Sequence, residues 1–237
     1  AGFSEEEMKQ LGFAALMHDI GMLRIPTQIL RKSEALTPPE ENLLRQHTRY
    51  SFELLELTKD CPPSAKTVVL HHHERLDGSG YPDRLKGEQI DKLTQMVAMV
   101  DEYDELCHPQ DQSKAKVPHA VLSFLFKHKT KQLNKDYIGL LVKQLGIYPP
   151  GSVVQLSNGQ VGLVMSVNPK RLLFPSVLIY DPAIPRHEAP IIDLEDVGLS
   201  IGKVIAPARL PKPVFEYLNP RTRISFYFDH SNISPHT

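Results

Sequence analysis

His18 and Asp19 are neighbours, so one short segment offers a ring nitrogen and a carboxylate to the same ion, and a carboxylate can bridge two ions. Taken alone the dipeptide is common, and a capping Asp beside a core His would account for it. His47 follows Leu43 and precedes Leu54 at helical spacing, where a core histidine satisfied by its neighbours is the plain alternative. An imidazole on such a face needs a partner for each ring nitrogen, and a metal ion backed by a further hydrogen-bonding group supplies both. His71-His72-His73-Glu74 is harder to reduce to structure. Consecutive helical residues point about 100° apart, so two of them converge on one site only near a helix end. An exposed polar terminus is the alternative, but Thr67, Val68, Val69 and Leu70 mark the preceding helix as mostly buried. The segment then enters a glycine-rich loop, Asp77-Gly78-Ser79-Gly80-Tyr81-Pro82. Asp101 closes the apolar run Met96 to Val100, and a carboxylate in such company needs a counter-charge or a metal. Four His and two Asp in mixed nitrogen and oxygen ligation suit Fe, Mn or Zn better than Mg or Ca.

Helices must carry these groups. Ser4 with Glu7 forms a capping-box pattern, followed by Met8, Leu11, Ala15 and His18 at three- and four-residue steps. Thr37-Pro38-Pro39-Glu40 is a second box with Pro at the first helical position, and Leu43, His47, Tyr50 and Leu54 continue from it on one face. Further helices are predicted over about 64–73, 91–106, 118–131 and 135–145. The pattern changes after Tyr148. Eight of the 11 histidines precede it, and 12 of the 20 prolines follow it. A domain boundary is therefore placed there, with residues 1–148 helical and 149–237 a small β-rich domain with a frayed polar tail from about His230. Ser157-Asn158-Gly159 between two apolar runs predicts a hairpin, 176–180 another strand, and 191–192 and 201–205 more, in a small barrel or half-open sheet. The fold class is mainly α with a C-terminal β extension.

Composition narrows the function. Lys and Arg total 27 against 28 Asp and Glu, a formal net charge of -1, which leaves no electrostatic footprint for bulk nucleic acid or an anionic membrane. No apolar run approaches the roughly 20 residues that span a bilayer. Cys61 and Cys107 form neither a zinc spacing nor a disulfide framework, which fits a reducing, cytoplasmic compartment.

The string HDIGMLRIP, then Leu36-Thr37 with Glu40, His47, HHERLDGSGYPDRLKGEQI and Asp101-Glu102-Tyr103-Asp104 resembles the HD-GYP family, a subgroup of the HD-domain metal-dependent phosphohydrolases. The resemblance covers about Gly2 to Leu106, and the segment from LGIYPPGSVVQLSNG onward looks like the C-terminal extension of one proteobacterial subset. It implies an HD-type helical domain with two, in some members three, divalent transition-metal ions, Fe or Mn. It implies hydrolysis of the bacterial messenger cyclic di-GMP to linear pGpG and in some members to GMP. Matched motif by motif, His18 and Asp19 are the HD pair, with Asp19 bridging at the catalytic centre; His47, His72, His73 and Asp101 complete the metal set, and His71 is extra. Tyr81, with Gly80 and Lys86 in the same segment, falls at the substrate. Implied partners are a diguanylate cyclase or other signalling protein docking through the GYP loop, and a second copy in a homodimer.

The chain departs from that pattern in three places. Members usually carry a His on an upstream helix, and no His precedes His18 here, so the expectation is a domain lacking its first helix. Gly-Lys usually follows the HD pair, and here Met22 follows Gly21, a side chain with no donor for a phosphate. Arg and Lys often follow the closing aspartate, and the stretch Cys107 to Ser113 has neither. Two readings remain open: a phosphodiesterase slowed by Met22, and a metal-containing module that binds cyclic di-GMP with little hydrolysis. Other HD-type hydrolysis of nucleotides or phosphate esters stands behind both.

Overall fold

The first helix begins where Ser4 caps it, the Glu7 carboxylate accepting from the Ser4 backbone N–H at 2.7 Å while Ser4 Oγ accepts from the Glu7 N–H at 3.2 Å. In the computed structural model, which describes residues 2–109 and 111–220, this helix is α1 (Glu5–Met17). A 3-10 turn (Ile20–Arg24) leads to α2 (Thr27–Leu30), then α3 (Pro38–Arg45), α4 (His47–Glu56), α5 (Pro63–His71), α6 (Lys92–Cys107), α7 (Pro118–His128) and α8 (Lys135–Leu145). Five short strands and α9 (Lys212–Leu218) follow. The polar end expected from about His230 lies outside the described residues. By packing the chain divides into two units: one of residues 1–116 and 121–140, the other of residues 117–120 and 141–237.

In the first unit α1, α5 and α6 meet around Ala14, Ala65, Val68, Leu93 and Val97, with Phe3, Leu11 and Phe13 packed on that core. Ala14 and Ala65 are fully buried, and such small side chains let the helices approach closely. The second capping box is also present, Glu40 accepting from Thr37 N–H and Oγ1 at 2.7 and 2.8 Å. The helix it opens is shorter than the apolar spacing suggested. It stops at Arg45, and α4 begins afresh at His47. The break is local competition for carbonyls. His47 Nδ1 takes the Leu44 carbonyl at 2.8 Å, and Thr48 Oγ1 takes that of Arg45 at 3.2 Å.

In the second unit β1 (Val153–Leu156), β2 (Val161–Ser166), β3 (Ser176–Ile179), β4 (Ile191–Asp193) and β5 (Ile201–Ile205) form one antiparallel sheet in the order β4-β3-β2-β1-β5. The turn between β1 and β2 carries Gly159 at φ 87, as the Asn-Gly signal requires. Period-two alternation gives the sheet two apolar faces. Val154, Leu156, Val164, Val177 and Ile179 line one with Leu194; Val153, Leu163 and Leu178 line the other, covered by Leu218 and Val214 of α9. The sequence pattern predicts no helix in this β-rich region; α9 forms there even though prolines crowd it, since Pro213 sits in the first helical turn, where a missing N–H costs nothing. Tyr148 packs on the sheet core and stacks on His119 at 5.0 Å.

One glycine couples the HD turn to α4. A Cβ on Gly21 would overlap the His47 carbonyl oxygen and the Ser51 nitrogen. The Gly21 N–H donates to Ser51 Oγ at 2.8 Å, and that hydroxyl donates to the His18 carbonyl at 2.8 Å. Gly21→Ala is expected to cost about 1–3 kcal/mol through forced separation of these two backbones. The urea midpoint of the purified variant checks this; an unchanged midpoint would mean the contact yields freely.

Candidate metal centre

Three helix ends and the middle of one helix supply the site. His18 follows the last residue of α1, Asp19 opens the 3-10 turn, His47 starts α4, His72 caps α5 with His73 next, and Asp101 lies within α6. The structure thus brings all six together. His47, His72 and His73 are buried, and His18 and Asp101 are largely so. An imidazole on a helix end can bond back to the carbonyls that the last turn leaves unpaired. Three of these histidines do so: Nδ1 of His18, His47 and His72 meets the carbonyl three residues earlier, Ala15, Leu44 and Val69, at 2.8, 2.8 and 2.9 Å. A carbonyl only accepts, so each Nδ1 carries a proton, and in its neutral form each ring presents the Nε2 lone pair inward.

Those lone pairs converge. His47 Nε2 and His72 Nε2 are 3.3 Å apart. With both rings neutral, two acceptors face each other, an arrangement made favourable by a cation or a shared proton between them. Asp19 Oδ1 stands 3.2 Å from His47 Nε2 and 3.7 Å from His72 Nε2, while Oδ2 is 3.5 Å from His18 Nε2. Asp101 repeats the pattern, Oδ1 3.5 Å from His18 Nε2 and Oδ2 3.6 Å from His73 Nδ1. Asp19 Oδ1 and Asp101 Oδ2 are buried with no hydrogen-bond partner, which is costly for carboxylate oxygens unless a cation joins them. Ligand atoms of Asp19, His47, His72 and His73 lie within 4.8 Å of one another, as do those of His73, Asp101 and Glu105. The donor set therefore fits a divalent metal.

The electrostatics agree with a site short of positive charge. Burial holds His47 and His73 below the usual imidazole range. Burial also opposes charge on His18, but contact with Asp101 and the charge of Asp19 outweigh it and push the ring up to about 9. Asp19 is opposed by burial and still held low by His72, His18 and His47. Glu105, absent from the sequence-based set, is exposed at the edge of the cluster, yet partial desolvation and the charges of Asp101 and Glu102 push it up to about 7. Only its place one turn beyond Asp101 on α6 could have flagged it.

Tyr81 lies over the cluster, its ring stacked on His73 at 4.8 Å. Gly80 makes that approach feasible, since a Cβ there would strike the His73 carbonyl and the backbone of Glu74 and Arg75, and Tyr81 N–H reaches the His73 carbonyl at 3.3 Å. Lys86 is exposed and lies across Gly78, at the base of the same loop. Sequence reasoning missed the residue that pins this loop. Glu74 is 1% exposed, and its carboxylate accepts from the N–H groups of Asp83 and Leu85 at 2.6 and 3.0 Å. The extra histidine, His71, holds Asp83 at 2.9 Å, and Arg75 is fixed by Glu102 at 2.7 Å, which also meets Lys129 at 2.9 Å. Met22 stands beside Asp19 and Ile20 in an apolar recess, and Arg24 pairs with Glu53 at 2.5 Å instead of turning to the cluster.

The family model for the HD domain matches residues 1–133. The chain is 33% identical over 196 residues to the cyclic di-GMP phosphodiesterase PA4108 of Pseudomonas aeruginosa, covering 81% of this chain and 46% of that protein. It is 34% identical over 143 residues to the cyclic di-GMP phosphodiesterase response regulator RpfG of Xanthomonas campestris pv. campestris, covering 60% and 38%. A cyclic di-GMP phosphodiesterase of Thermotoga maritima is 40% identical over 106 residues, covering 44% and 29%. The chain belongs to the HD domain family, and these relatives support its place in the HD-GYP subgroup. It spans less than half the length of each. Among the described residues no helix is long and apolar enough to cross a membrane.

Glu74 generates a specific expectation. Glu74→Gln leaves one acceptor oxygen for two N–H groups and turns an amide toward the other donor, a cost of about 1–3 kcal/mol. Hydrogen exchange at the Asp83 and Leu85 amides should quicken while exchange in α1 stays unchanged. Equal exchange at both amides would show that the carboxylate is not what holds the loop.

Proposed function

We propose that the chain is a metal-dependent phosphodiesterase domain that hydrolyses cyclic di-GMP to linear pGpG, and onward to GMP if the linear product is also accepted. The observation that carries this reading is the buried His/Asp cluster with two unpartnered carboxylate oxygens beneath Tyr81. His18, Asp19, His47, His72, His73 and Asp101 are its metal ligands. Asp19 supports two ion positions, because one oxygen faces His47 and His72 and the other faces His18. The nitrogen and oxygen donors fit Fe or Mn. Bound divalent ions supply acidification of water and neutralisation of phosphate charge there.

The chain's own residues do the rest. The carbonyls of Ala15, Leu44 and Val69 fix the three imidazoles so that each enters with its lone pair already aimed. Tyr81 roofs the cleft and offers a ring face to a base, on a loop shaped by Gly80 and Lys86 and anchored by Glu74. The names of the relatives point to the same substrate.

The reading is tested on protein reconstituted anaerobically with Fe(II) or Mn. Wild type should hold transition metal and convert cyclic di-GMP to pGpG. Asp101→Ala should lose most of its metal by elemental analysis and at least about 10² in rate. A wild type that retains no transition metal would overturn the cluster's role as a metal centre, and metal with tight binding but no turnover would select the binding-module reading.

Met22 sets the expected speed. With no cation beside Asp19 from Met22 or Arg24, developing charge on the phosphate lacks one stabiliser, a loss worth on the order of 10²–10³ in rate when a comparable donor is removed. Met22→Lys should raise kcat more than it changes KM. The steady-state comparison is made at saturating metal; no gain in kcat with fold and metal content intact would clear Met22 of responsibility for slow turnover.

A further inference from the structure

A polar pocket of about 440 Å³ opens beside Tyr81, on a different set of residues from the metal cluster. One wall is Asn42, Arg45, Gln46 and Arg49, at positions i, i+3, i+4 and i+7 across the junction of α3 and α4. The other is Gly78 to Pro82 with Arg84. Three of these lining residues are arginines and none is acidic.

The arginines are available to a ligand. Arg45 pairs with Glu41 at 2.6 Å and Arg49 with Asp83 at 2.9 Å, with each side chain in both pairs more than a third exposed. Exposed pairs of that kind contribute little and exchange readily for a better acceptor. Arg84 sits at φ 56, a left-handed conformation that glycine would adopt more easily, and its side chain still lines the pocket. By contrast, Arg24, Arg75 and Lys129 are committed: Arg24 to Glu53, and both Arg75 and Lys129 to Glu102.

The pocket is also joined to the cluster. The Tyr81 ring that stacks on His73 at 4.8 Å carries the Arg45 guanidinium 5.0 Å from its centre. A ligand in contact with the cluster therefore needs only to pass one aromatic ring to reach three guanidinium groups. The metal side is rich in carboxylates and takes a phosphate only with ions present, whereas the pocket offers planar, permanently charged donors that match a phosphate without an ion. A cyclic dinucleotide carries two phosphodiesters, and one cluster cleaves one at a time.

Resting on the cyclic dinucleotide reading above, we propose that this pocket binds the phosphodiester that is not under cleavage, with Arg45, Arg49 and Arg84 as its partners. Asn42 and Gln46, on the same wall, add amide donors and acceptors for the same nucleotide half.

The test uses a hydrolysis-resistant phosphorothioate analogue of cyclic di-GMP, with Kd by calorimetry on the metal-loaded chain and metal content by elemental analysis. R49Q/R84Q should raise Kd about tenfold or more and flatten its dependence on salt, with metal content unchanged. R84Q alone leaves the Arg49–Asp83–His71 contacts in place, so it guards against misfolding of the double variant, and it should show a smaller rise of the same sign. Wild-type affinity in a folded R84Q and a folded double variant would overturn the pocket while leaving the phosphodiesterase reading intact. No binding of the analogue by the metal-loaded wild type would overturn both.

Discussion

Two imidazole nitrogens, Nε2 of His47 and Nε2 of His72, face each other at 3.3 Å with their protons held on the far side of each ring. Nothing in the hydrophobic core asks for that arrangement. It places acceptor against acceptor, and Asp19 and Asp101 add buried oxygens that no donor reaches. Such a concentration of lone pairs is unfavourable on its own and favourable around positive charge. Much of the first unit serves to hold this unfavourable set in place, so the cluster and the helix packing are parts of one problem.

The solution uses helix ends. A helix C-terminus leaves carbonyls without intrahelical partners and carries partial negative charge. Placing a histidine at that point satisfies one carbonyl, fixes the tautomer and aims the remaining lone pair in a single contact. The chain does this at Ala15, Leu44 and Val69. The same device explains why α3 and α4 are separate helices, since His47 must leave the regular ladder to make its bond. Gly21 and Ser51 then hold the HD turn against α4, so that Asp19 reaches His47 and His72 from the opposite side.

How much of this could be read from the residues depended on range. The capping boxes at Ser4 and Thr37 are local, and both were legible. The hairpin at Asn158-Gly159 was legible for the same reason. The cluster was legible because its members are of rare chemical type, even though residues 18 to 101 had to come together. The break at Gln46 was not: its backbone stays in the α region, so the apolar spacing runs through it undisturbed. Prolines hid α9, because the signal that starts a helix and the signal that forbids one differ by only a turn. Glu74 and Ser51 were invisible for another reason. Each acts on backbone groups distant in sequence, and a polar side chain carries no mark of the N–H or carbonyl it will meet.

Charge placement around the cluster separates structure from chemistry. Glu102 is largely buried between Arg75 and Lys129, and each of those cations is thereby fixed rather than free. Arg75 also donates to the carbonyls of His72 and Glu74, so its positive charge is spent on the segment that carries two ligands and the loop anchor. Arg24 is drawn to Glu53 and lies over Tyr50, while Met22 lines the same apolar recess as Asp19. Around the cluster, then, Arg24, Arg75 and Lys129 stabilise the scaffold, and on the proposed reading positive charge toward a phosphate would come mainly from bound ions. Beside Tyr81 the order reverses: three arginines line an open pocket, and the ion pairs of Arg45 and Arg49 there are exposed. A ligand that bridges the two regions meets ion-dependent attraction at one end and permanent charge at the other, with Tyr81 between them. On the proposed readings that asymmetry would let affinity and turnover vary separately, because removing the ions would disable one end and leave the other able to bind.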